Sequence, residues 1–310
     1  MDFLIFILGC AFIWLGGNFI VDSATQIARR FNISELIIGL TLVSIGTSLP
    51  EVVVNIVASI KKETVVVLGN ILGSNISNTL LIIGLTGLIS PLVIPKSRLK
   101  KESLFYLCTL FFLSILIYIS SPQALSIFEG CCLIVIFILS LIVFFKSNKD
   151  DCPESDSKKN QHLAITVLLF SLGCILLPSG GNMLVDSAVS IAVKFGISKA
   201  FVSLFAVALG TSLPELITSI IAAKNGNSSL AIGNVVGSNI FNITLVLGIS
   251  ALINPIYFDT VFLGDLTIVA ACFLPLTFIL LATKKPAFSK LFSLFLLTFY
   301  TLYMLSIYYR

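Results

Sequence analysis

The stretch GTSLPE at residues 46–51 occurs a second time, letter for letter, at residues 210–215. A second motif, GSNISN at 73–78, returns as GSNIFN at 237–242. Both pairs are separated by the same 164 residues. An equal offset between two separate motifs indicates a duplicated unit in the chain rather than chance similarity.

The duplication extends well beyond these two motifs. Residues 16–91 align with residues 180–255 without a gap, and 34 of the 76 aligned positions are identical. Within this alignment, the pair Gly-Asn at 69–70 also recurs, at 233–234. The chain therefore contains two homologous halves, and a residue in one half has a defined counterpart in the other.

The composition places both halves in a membrane. Hydrophobic residues make up 57% of the chain and charged residues 11%, with a mean hydropathy of +1.08, whereas a soluble domain carries about 25% charged residues. Several apolar runs reach the roughly 20 residues that cross a bilayer as a helix. Runs such as 104–119 do not alternate between polar and apolar residues, which excludes a β-barrel. The sequence predicts an all-α membrane protein.

Charge clusters, prolines and glycines divide the apolar runs into ten predicted spans. The polar segment KSNKDDCPESDSKKNQ at 146–161 separates five spans from the other five and is typical of a flexible linker. We therefore expect an N-terminal half at 1–145 (helices 1–5) and a C-terminal half at 162–310 (helices 6–10). The predicted spans are 2–27, 33–60, 65–90, 103–120, 124–145, 162–191, 197–223, 228–253, 261–283 and 288–308.

An odd number of spans in each half reverses the direction in which the second half enters the membrane. The prediction is thus ten transmembrane helices arranged as two inverted five-helix repeats, with a site between the repeats near the midplane. A parallel duplication would need an even number of spans in each half. With the N-terminus outside, 14 of the 19 Lys and Arg residues fall on the cytoplasmic side, which predicts extracytoplasmic termini and a cytoplasmic linker.

One glutamate of each half, Glu51 and Glu215, lies inside a predicted span at matching positions. A carboxylate near the bilayer centre costs about 2.5–3.5 kcal/mol on insertion scales. No Lys or Arg lies within two helical turns of either glutamate in the sequence, so a bound cation is the best candidate for the compensating charge. The net charge of +4 resides in the loops and gives no reason to expect nucleic acid.

The residues around both glutamates suit a hard cation. Thr47 and Ser48 precede Glu51 by four and three residues and share its helical face, and Thr211 and Ser212 do the same for Glu215. The proline before each glutamate removes a backbone donor and distorts the preceding turn. Hydroxyl, carbonyl and carboxylate oxygens are the ligands of Na⁺ and Ca²⁺, whereas clusters of His and Cys would suit transition metals.

The second motif adds Ser74 and Asn78, four residues apart on one helical face, and their counterparts Ser238 and Asn242. Small polar residues in membrane helices often serve only for packing. Because these four recur beside a glutamate motif in both halves, we interpret them as ligands. The asparagine between them in each half, at 75 and 239, is expected to support helix packing instead.

GTSLPE followed by GNxxGSNxxN, twice in one chain, resembles the α-1 and α-2 repeats of the cation/calcium antiporter superfamily, and most closely its prokaryotic sodium/calcium exchangers. The resemblance implies ion sites among the second, third, seventh and eighth helices, with backbone carbonyls at Ser44 and Ala208 as further ligands. It also implies that the first and sixth helices slide to alternate access. Some members have Asp where this chain has Asn78 or Asn242, so the expected site charge is −2 and potassium co-transport is not expected.

The leading expectation is Na⁺/Ca²⁺ antiport that exports calcium across the cell membrane, with no cofactor apart from the transported ions and with the lipid bilayer as surroundings. A Ca²⁺/H⁺ exchanger that uses the same two glutamates is the alternative, since a glutamate in an apolar setting can bind a proton near neutral pH. A cation channel is disfavoured because channels place their ligands on an oligomer axis. An intramembrane enzyme is disfavoured because the chain has one His and no nucleophile constellation.

Overall fold

The computed structural model describes residues 2–93, 100–119, 124–147, 162–194, 210–258, 260–282 and 287–308. We number its helices in chain order. Those of the first half are α1 (Asp2–Arg30), α2 (Glu35–Thr47), α3 (Leu49–Ile60), α4 (Thr64–Ile89), α5 (Lys100–Ile119) and α6 (Ile127–Ser147). Those of the second half are α7 (Leu163–Lys194), α8 (Leu213–Lys224), α9 (Ser228–Ile253), α10 (Thr260–Ala282) and α11 (Lys290–Tyr308).

The helices agree with the predicted spans. Within the described residues, eight helices are long and apolar enough to cross a membrane, or nine when the bent pair α2 and α3 counts as one span. Their ends fall within about three residues of the predicted ends. The predicted span 197–223 is described only from residue 210 onward. The all-helical, membrane-spanning prediction is therefore confirmed.

The second span is broken where the glutamate motif lies. Between α2 and α3, Ser48 has φ −88° and ψ 9°, and the two helices meet at an angle of 48°. Pro50 in the first turn of α3 has no N–H to offer the carbonyl of Gly46, so the helix cannot continue regularly. In the second half, Ser212 has φ −88° and ψ 0° directly before α8. Ser48 and its counterpart Ser212 thus have nearly the same backbone conformation before the helix that carries the glutamate.

Within the described residues, three short π-helical segments interrupt the inner helices: Gly39–Val43 in α2, Ser77–Ile82 in α4 and Asn242–Val246 in α9. The last two are at matching places, because Asn78 is the counterpart of Asn242. A π-helical turn inserts an extra residue and redirects the side chains next to it, and such turns are frequent at functional sites.

The inner and outer helices differ in burial. About three quarters of the most apolar stretches of α4 and α9 are buried (72% and 78%), against 33% for α1 and 22% for α7. The glycines of the repeat motifs permit close contacts at the centre, since a Cβ atom on Gly233 would lie 2.6 Å from the carbonyl oxygen of Leu36. α9 therefore packs backbone to backbone against α2.

The two long outer helices, α1 and α7, pack against each other in antiparallel orientation. A Cβ on Gly9 would lie 3.0 Å from the carbonyl oxygen of Gly180, and one on Gly173 would lie 2.9 Å from that of Gly16. Gly173 is the counterpart of Gly9, and Gly180 that of Gly16. Each half therefore makes the same glycine contact to the other.

In the part of the chain that the structure describes, four two-residue strands connect the halves in the same reciprocal way. β1 (Leu92–Val93) pairs antiparallel with β4 (Ala287–Phe288), and β2 (Ala124–Leu125) pairs antiparallel with β3 (Ile256–Tyr257). β3 is the counterpart of β1, 164 residues later. In both halves, the strand that follows the third span pairs with the strand between the fourth and fifth spans of the other half.

Candidate ion-binding site

The two glutamates follow the turns at Ser48 and Ser212 and lie in the protein interior. Glu51 and Glu215 are each 1% exposed and lie in the first turns of α3 and α8. The N-terminus of a helix carries partial positive charge, which favours a carboxylate there. Both carboxylates are cut off from water, which makes their charge costly unless it is paired. Two like charges so placed call for a positive partner.

The sequence Ser-Leu-Pro-Glu has the spacing of a helix-capping box, in which the serine hydroxyl would bind the backbone of its own helix. The structure uses these serines differently. Neither Ser48 nor Ser212 makes a side-chain capping hydrogen bond. Instead, the Ser48 hydroxyl lies 2.7 Å from Glu215 Oε1 and 3.0 Å from Ser238 Oγ, and Ser238 Oγ lies 3.4 Å from the same carboxylate oxygen. A serine of the first half therefore donates a hydrogen bond to the glutamate of the second half.

The threonine next to Ser48 also reaches the second half. Thr47 Oγ1 donates to Asn234 Oδ1 at 3.1 Å, and it lies near the carboxylate of Glu215. The side-chain amide of Asn234 donates to the backbone oxygen of Glu215 at 3.3 Å and to Ser219 Oγ at 3.1 Å. Asn234 thereby joins Thr47, at the break between α2 and α3, to α8, the helix that carries Glu215.

A corresponding arrangement surrounds the other glutamate. Thr211 Oγ1 donates to Asn70 Oδ1 at 3.3 Å and also contacts Glu51. The amide of Asn70 donates to Asn55 Oδ1 at 3.0 Å. Asn70 is the counterpart of Asn234 and Asn55 that of Ser219. In both halves, therefore, an asparagine oxygen accepts from a threonine hydroxyl of the opposite half beside the glutamate.

Several buried polar atoms in this region have no hydrogen-bond partner within the described part of the chain. They include Glu51 Oε2, Glu215 Oε2, Ser212 Oγ, Asn55 Nδ2, Asn78 Oδ1, and both amide atoms of Asn242. A buried polar group without a partner costs about 1–3 kcal/mol, and more when it is charged. A hard cation would use the oxygens among these atoms as ligands. Among the described residues, no three or more His, Cys, Asp or Glu side chains lie together so that they could hold a metal ion. A cluster of His and Cys is the arrangement expected for a transition metal.

The structure distributes the predicted ligands unevenly. It joins Ser48, Glu215 and Ser238 by direct hydrogen bonds and links Thr47 to Glu215 through Asn234, whereas Ser74 (3% exposed) is buried on α4. The Ser44 hydroxyl donates within its own helix, to the carbonyls of Leu40 and Thr41. The Ser44 carbonyl accepts from the Ser48 N–H at 3.0 Å. Ala208 lies outside the described residues.

The two asparagines interpreted as packing residues lie at helix contacts. Asn239 donates to Thr79 Oγ1 at 3.0 Å, which links α9 to α4. Asn75 accepts from the Tyr106 hydroxyl at 3.1 Å, which links α4 to α5. Both asparagines are fully buried. These contacts agree with a packing role.

Asn70 and Asn234 were not among the predicted site residues, although the recurrence of Gly-Asn at 69–70 and 233–234 is a signal for them. Asn55 and Ser219 were also missed, and no sequence signal points to them because the two residues differ in type. Asn70 and Asn234 join the site through bonds to threonines of the opposite half, which spacing along the chain cannot reveal. Asn55 and Ser219 join it through bonds to Asn70 and Asn234 within their own halves.

The fold and this cluster define a multi-pass helical membrane protein with a buried, oxygen-lined acidic site suited to a metal cation. Residues 1–146 and 165–309 match the family model described as sodium/calcium exchanger protein. The chain belongs to the sodium/calcium exchanger family, a family of transporters. The resemblance of the repeats to the prokaryotic exchangers is thereby confirmed.

Individual relatives cover most of the chain. It is 36% identical to "Inner membrane protein YrbG" of Escherichia coli (strain K12) over 259 residues, which cover 80% of this chain and 79% of that protein. It is 32% identical to "Sodium/calcium exchanger MaX1" of Methanosarcina acetivorans over 298 residues, covering 83% and 84%. A structure of the sodium-calcium exchanger NCX_Mj, soaked with 10 mM Na⁺ and zero Ca²⁺, superimposes with a TM-score of 0.85 at 30% identity and covers 98% of both chains.

Proposed function

We propose that this chain is a secondary active antiporter that exchanges Na⁺ for Ca²⁺ by alternating access and exports calcium. The observation that carries the proposal is the pair of buried carboxylates, Glu51 and Glu215, each with a threonine hydroxyl of the opposite half nearby and with Ser48 bonded to Glu215. Two ions can be exchanged only if they compete for the same ligands, and a shared pair of carboxylates provides that competition. The sodium gradient then drives calcium outward.

The charge of the site limits what it can hold. With Asn at both 78 and 242, the proposed ligands carry two negative charges. One Ca²⁺ or two Na⁺ neutralise them, and a third Na⁺ would leave an excess positive charge that makes the cycle electrogenic. The proposed ligands are Ser44, Thr47, Ser48, Glu51, Ser74, Asn78, Ala208, Thr211, Ser212, Glu215, Ser238 and Asn242, with Ser44 and Ala208 acting through backbone carbonyls.

We further propose ten transmembrane helices in two inverted repeats, with halves at 1–145 and 162–310 and a cytoplasmic linker at 146–161. The antiparallel contact between α1 and α7 and the reciprocal strand pairs support an inverted relation. The distribution of Lys and Arg supports extracytoplasmic termini, and calcium export implies the cell membrane. In this arrangement α1 and α7, which are mostly exposed to lipid, are the helices that move past the buried core.

The names of the relatives support the choice of ions. One solved neighbour is the sodium-calcium exchanger NCX_Mj soaked with 2.5 mM Na⁺ and 10 mM Sr²⁺, and it superimposes with a TM-score of 0.84 at 30% identity. Its soak contained sodium together with a divalent alkaline-earth cation. The oxygen ligands proposed here fit both kinds of ion.

The coupling ion is tested with inside-out membrane vesicles that contain the full chain. We expect ⁴⁵Ca²⁺ to enter Na⁺-loaded vesicles when external Na⁺ is diluted, and to enter at background rates when only a pH gradient is imposed. Uptake that ignores sodium but follows the pH gradient would instead establish a Ca²⁺/H⁺ exchanger. Uptake that needs neither gradient and does not saturate would indicate a channel.

The two glutamates are tested by neutral substitution. We expect Glu51→Gln and Glu215→Gln each to reduce sodium-driven Ca²⁺ uptake to background, because either leaves a single negative charge for a divalent ion. Glu129→Gln is the matched control, since this carboxylate lies at the start of α6 and accepts from the backbone N–H of Ser126 at 2.8 Å. Normal uptake by either site variant would refute the site.

A further inference from the structure

Asn234 has a fixed orientation in the structure. Its amide nitrogen donates to the backbone oxygen of Glu215 at 3.3 Å and to Ser219 Oγ at 3.1 Å. An amide nitrogen only donates and an amide oxygen only accepts, so these two bonds determine which end of the side chain is which. Asn234 Oδ1 therefore faces Thr47 as an acceptor, at 3.1 Å.

Thr47 has one hydroxyl hydrogen and three acceptors near it. They are Asn234 Oδ1 at 3.1 Å, the Ser44 carbonyl at 3.3 Å and the carboxylate of Glu215. The Ser44 carbonyl already accepts from the Ser48 N–H, so Asn234 is the better of the two neutral acceptors. A hydrogen directed at the carboxylate occupies an oxygen that a cation needs. A hydrogen directed at Asn234 leaves the carboxylate free and leaves a hydroxyl lone pair available to the same ion.

We propose that Asn234 and Asn70 are positioning residues for ion binding: each draws the hydroxyl hydrogen of a threonine of the opposite half away from the carboxylate when a cation binds. Asn234 acts through Thr47 beside Glu215, and Asn70 acts through Thr211 beside Glu51. The inference rests on the proposed function, because it assumes that a cation occupies the two carboxylates.

The repeat provides a second instance of the arrangement. Thr211 Oγ1 has Asn70 Oδ1 at 3.3 Å and also contacts Glu51. The amide of Asn70 is likewise held by a donor bond, to Asn55 Oδ1. The supporting residues differ, Asn55 in one half and Ser219 with a backbone carbonyl in the other, yet the acceptor faces a threonine in both. Asn234 is held by two donor bonds and Asn70 by one, so we expect the larger effect at Asn234.

The proposal predicts that Asn234 affects Ca²⁺ affinity only through Thr47. A double-mutant cycle measures this coupling between the two residues. Ca²⁺ binding to the full-length detergent-purified protein is followed by isothermal titration calorimetry for wild type, Asn234→Leu, Thr47→Val and the double variant. We expect Asn234→Leu to weaken Ca²⁺ binding by about 3- to 10-fold, the range of one net hydrogen bond. In the Thr47→Val background, the same substitution should change it by less than about 2-fold, because no hydroxyl hydrogen remains to be directed.

Asn239→Leu is the matched control, because Asn239 is equally buried on the same helix but bonds to Thr79. We expect Asn239→Leu to leave the Ca²⁺ affinity within about 2-fold of wild type. Equal weakening by Asn239→Leu, or equal factors for Asn234→Leu in both backgrounds, would overturn the proposal. If Asn234→Leu does not fold, the cycle of Asn70→Leu with Thr211→Val makes the same test at the other glutamate. Wild-type protein that binds no Ca²⁺ would instead refute the proposed function.

Discussion

Replacing Gly233 by alanine tests how closely the ion site depends on the contact between α9 and α2. A Cβ at this position would lie 2.6 Å from the carbonyl oxygen of Leu36 and 3.1 Å from the backbone nitrogen of Leu40. Both atoms belong to backbone, so they cannot turn aside as a side chain would. An ordinary contact begins near 3.4 Å, and the helices must therefore separate locally by about 0.8 Å.

The separation of the helices would also move Asn234, the residue that follows Gly233, away from its partners. Asn234 bonds to Thr47 at 3.1 Å and to the backbone oxygen of Glu215 at 3.3 Å. Lengthening the first distance by about 0.8 Å takes it beyond hydrogen-bond range. Overpacking of this kind costs about 1–3 kcal/mol of stability. We expect Gly233→Ala to lower the melting temperature and to weaken Ca²⁺ binding by about 10-fold.

Two measurements check this expectation: thermal unfolding of the purified protein without Ca²⁺, and a calorimetric Ca²⁺ titration. Gly264→Ala in α10 is the control, because a Cβ there meets no described atom within 4 Å. Alanine favours a helix over glycine by up to about 1 kcal/mol, so the control should melt at the wild-type temperature or above it. A Gly233→Ala protein with wild-type stability and Ca²⁺ affinity would refute the coupling of helix contact to ion site.

Three further outcomes are expected. Ser48→Ala should lower the melting temperature of the Ca²⁺-free protein, because it removes a hydrogen-bond donor to Glu215. Ser212→Ala should not lower it, because the Ser212 hydroxyl is buried without a described partner. Equal shifts of the melting temperature for the two variants would contradict this expectation. Asn242→Asp should raise the Hill coefficient for Na⁺, measured as inhibition of Ca²⁺ binding, because a third fixed charge favours a third Na⁺. Sodium-driven Ca²⁺ uptake should be unchanged when choline replaces K⁺, and a requirement for K⁺ would contradict the absence of co-transport.

Much of the fold could be predicted from the sequence because the membrane imposes long apolar helices. Hydropathy places the ends of the described spans within a few residues. It does not show the π-helical turn at Gly39–Val43, because one extra residue in a helix leaves the apolar composition unchanged. The break at Ser48 was indicated by Pro50, whose missing N–H is a local property of the sequence. The strands, two residues long, are too short for any alternation to be recognised.

The candidate site was predictable in its composition but not in its connections. The duplication identifies Glu51 and Glu215 as equivalent positions, yet equivalence does not imply contact. The bond from Ser48 to Glu215 joins residues 167 apart in sequence. Local spacing instead placed Ser48 on the helical face of Glu51, which the break at Ser48 prevents. Asn234 was overlooked for the same reason, since its partners lie on α8 and at the break after α2.

The reciprocal strand pairs have a consequence for how the protein is made. β1 and β2 belong to the first half, but their partners at 287–288 and 256–257 belong to the second. Synthesis proceeds at about 5–20 residues per second, so β2 leaves the ribosome on the order of 10 s before its partner exists. During that interval the first half can insert its helices but cannot complete either sheet. The strands that precede the last two spans, β3 and β4, therefore complete the two sheets. A nascent chain that stops before residue 287 lacks the partner of β1.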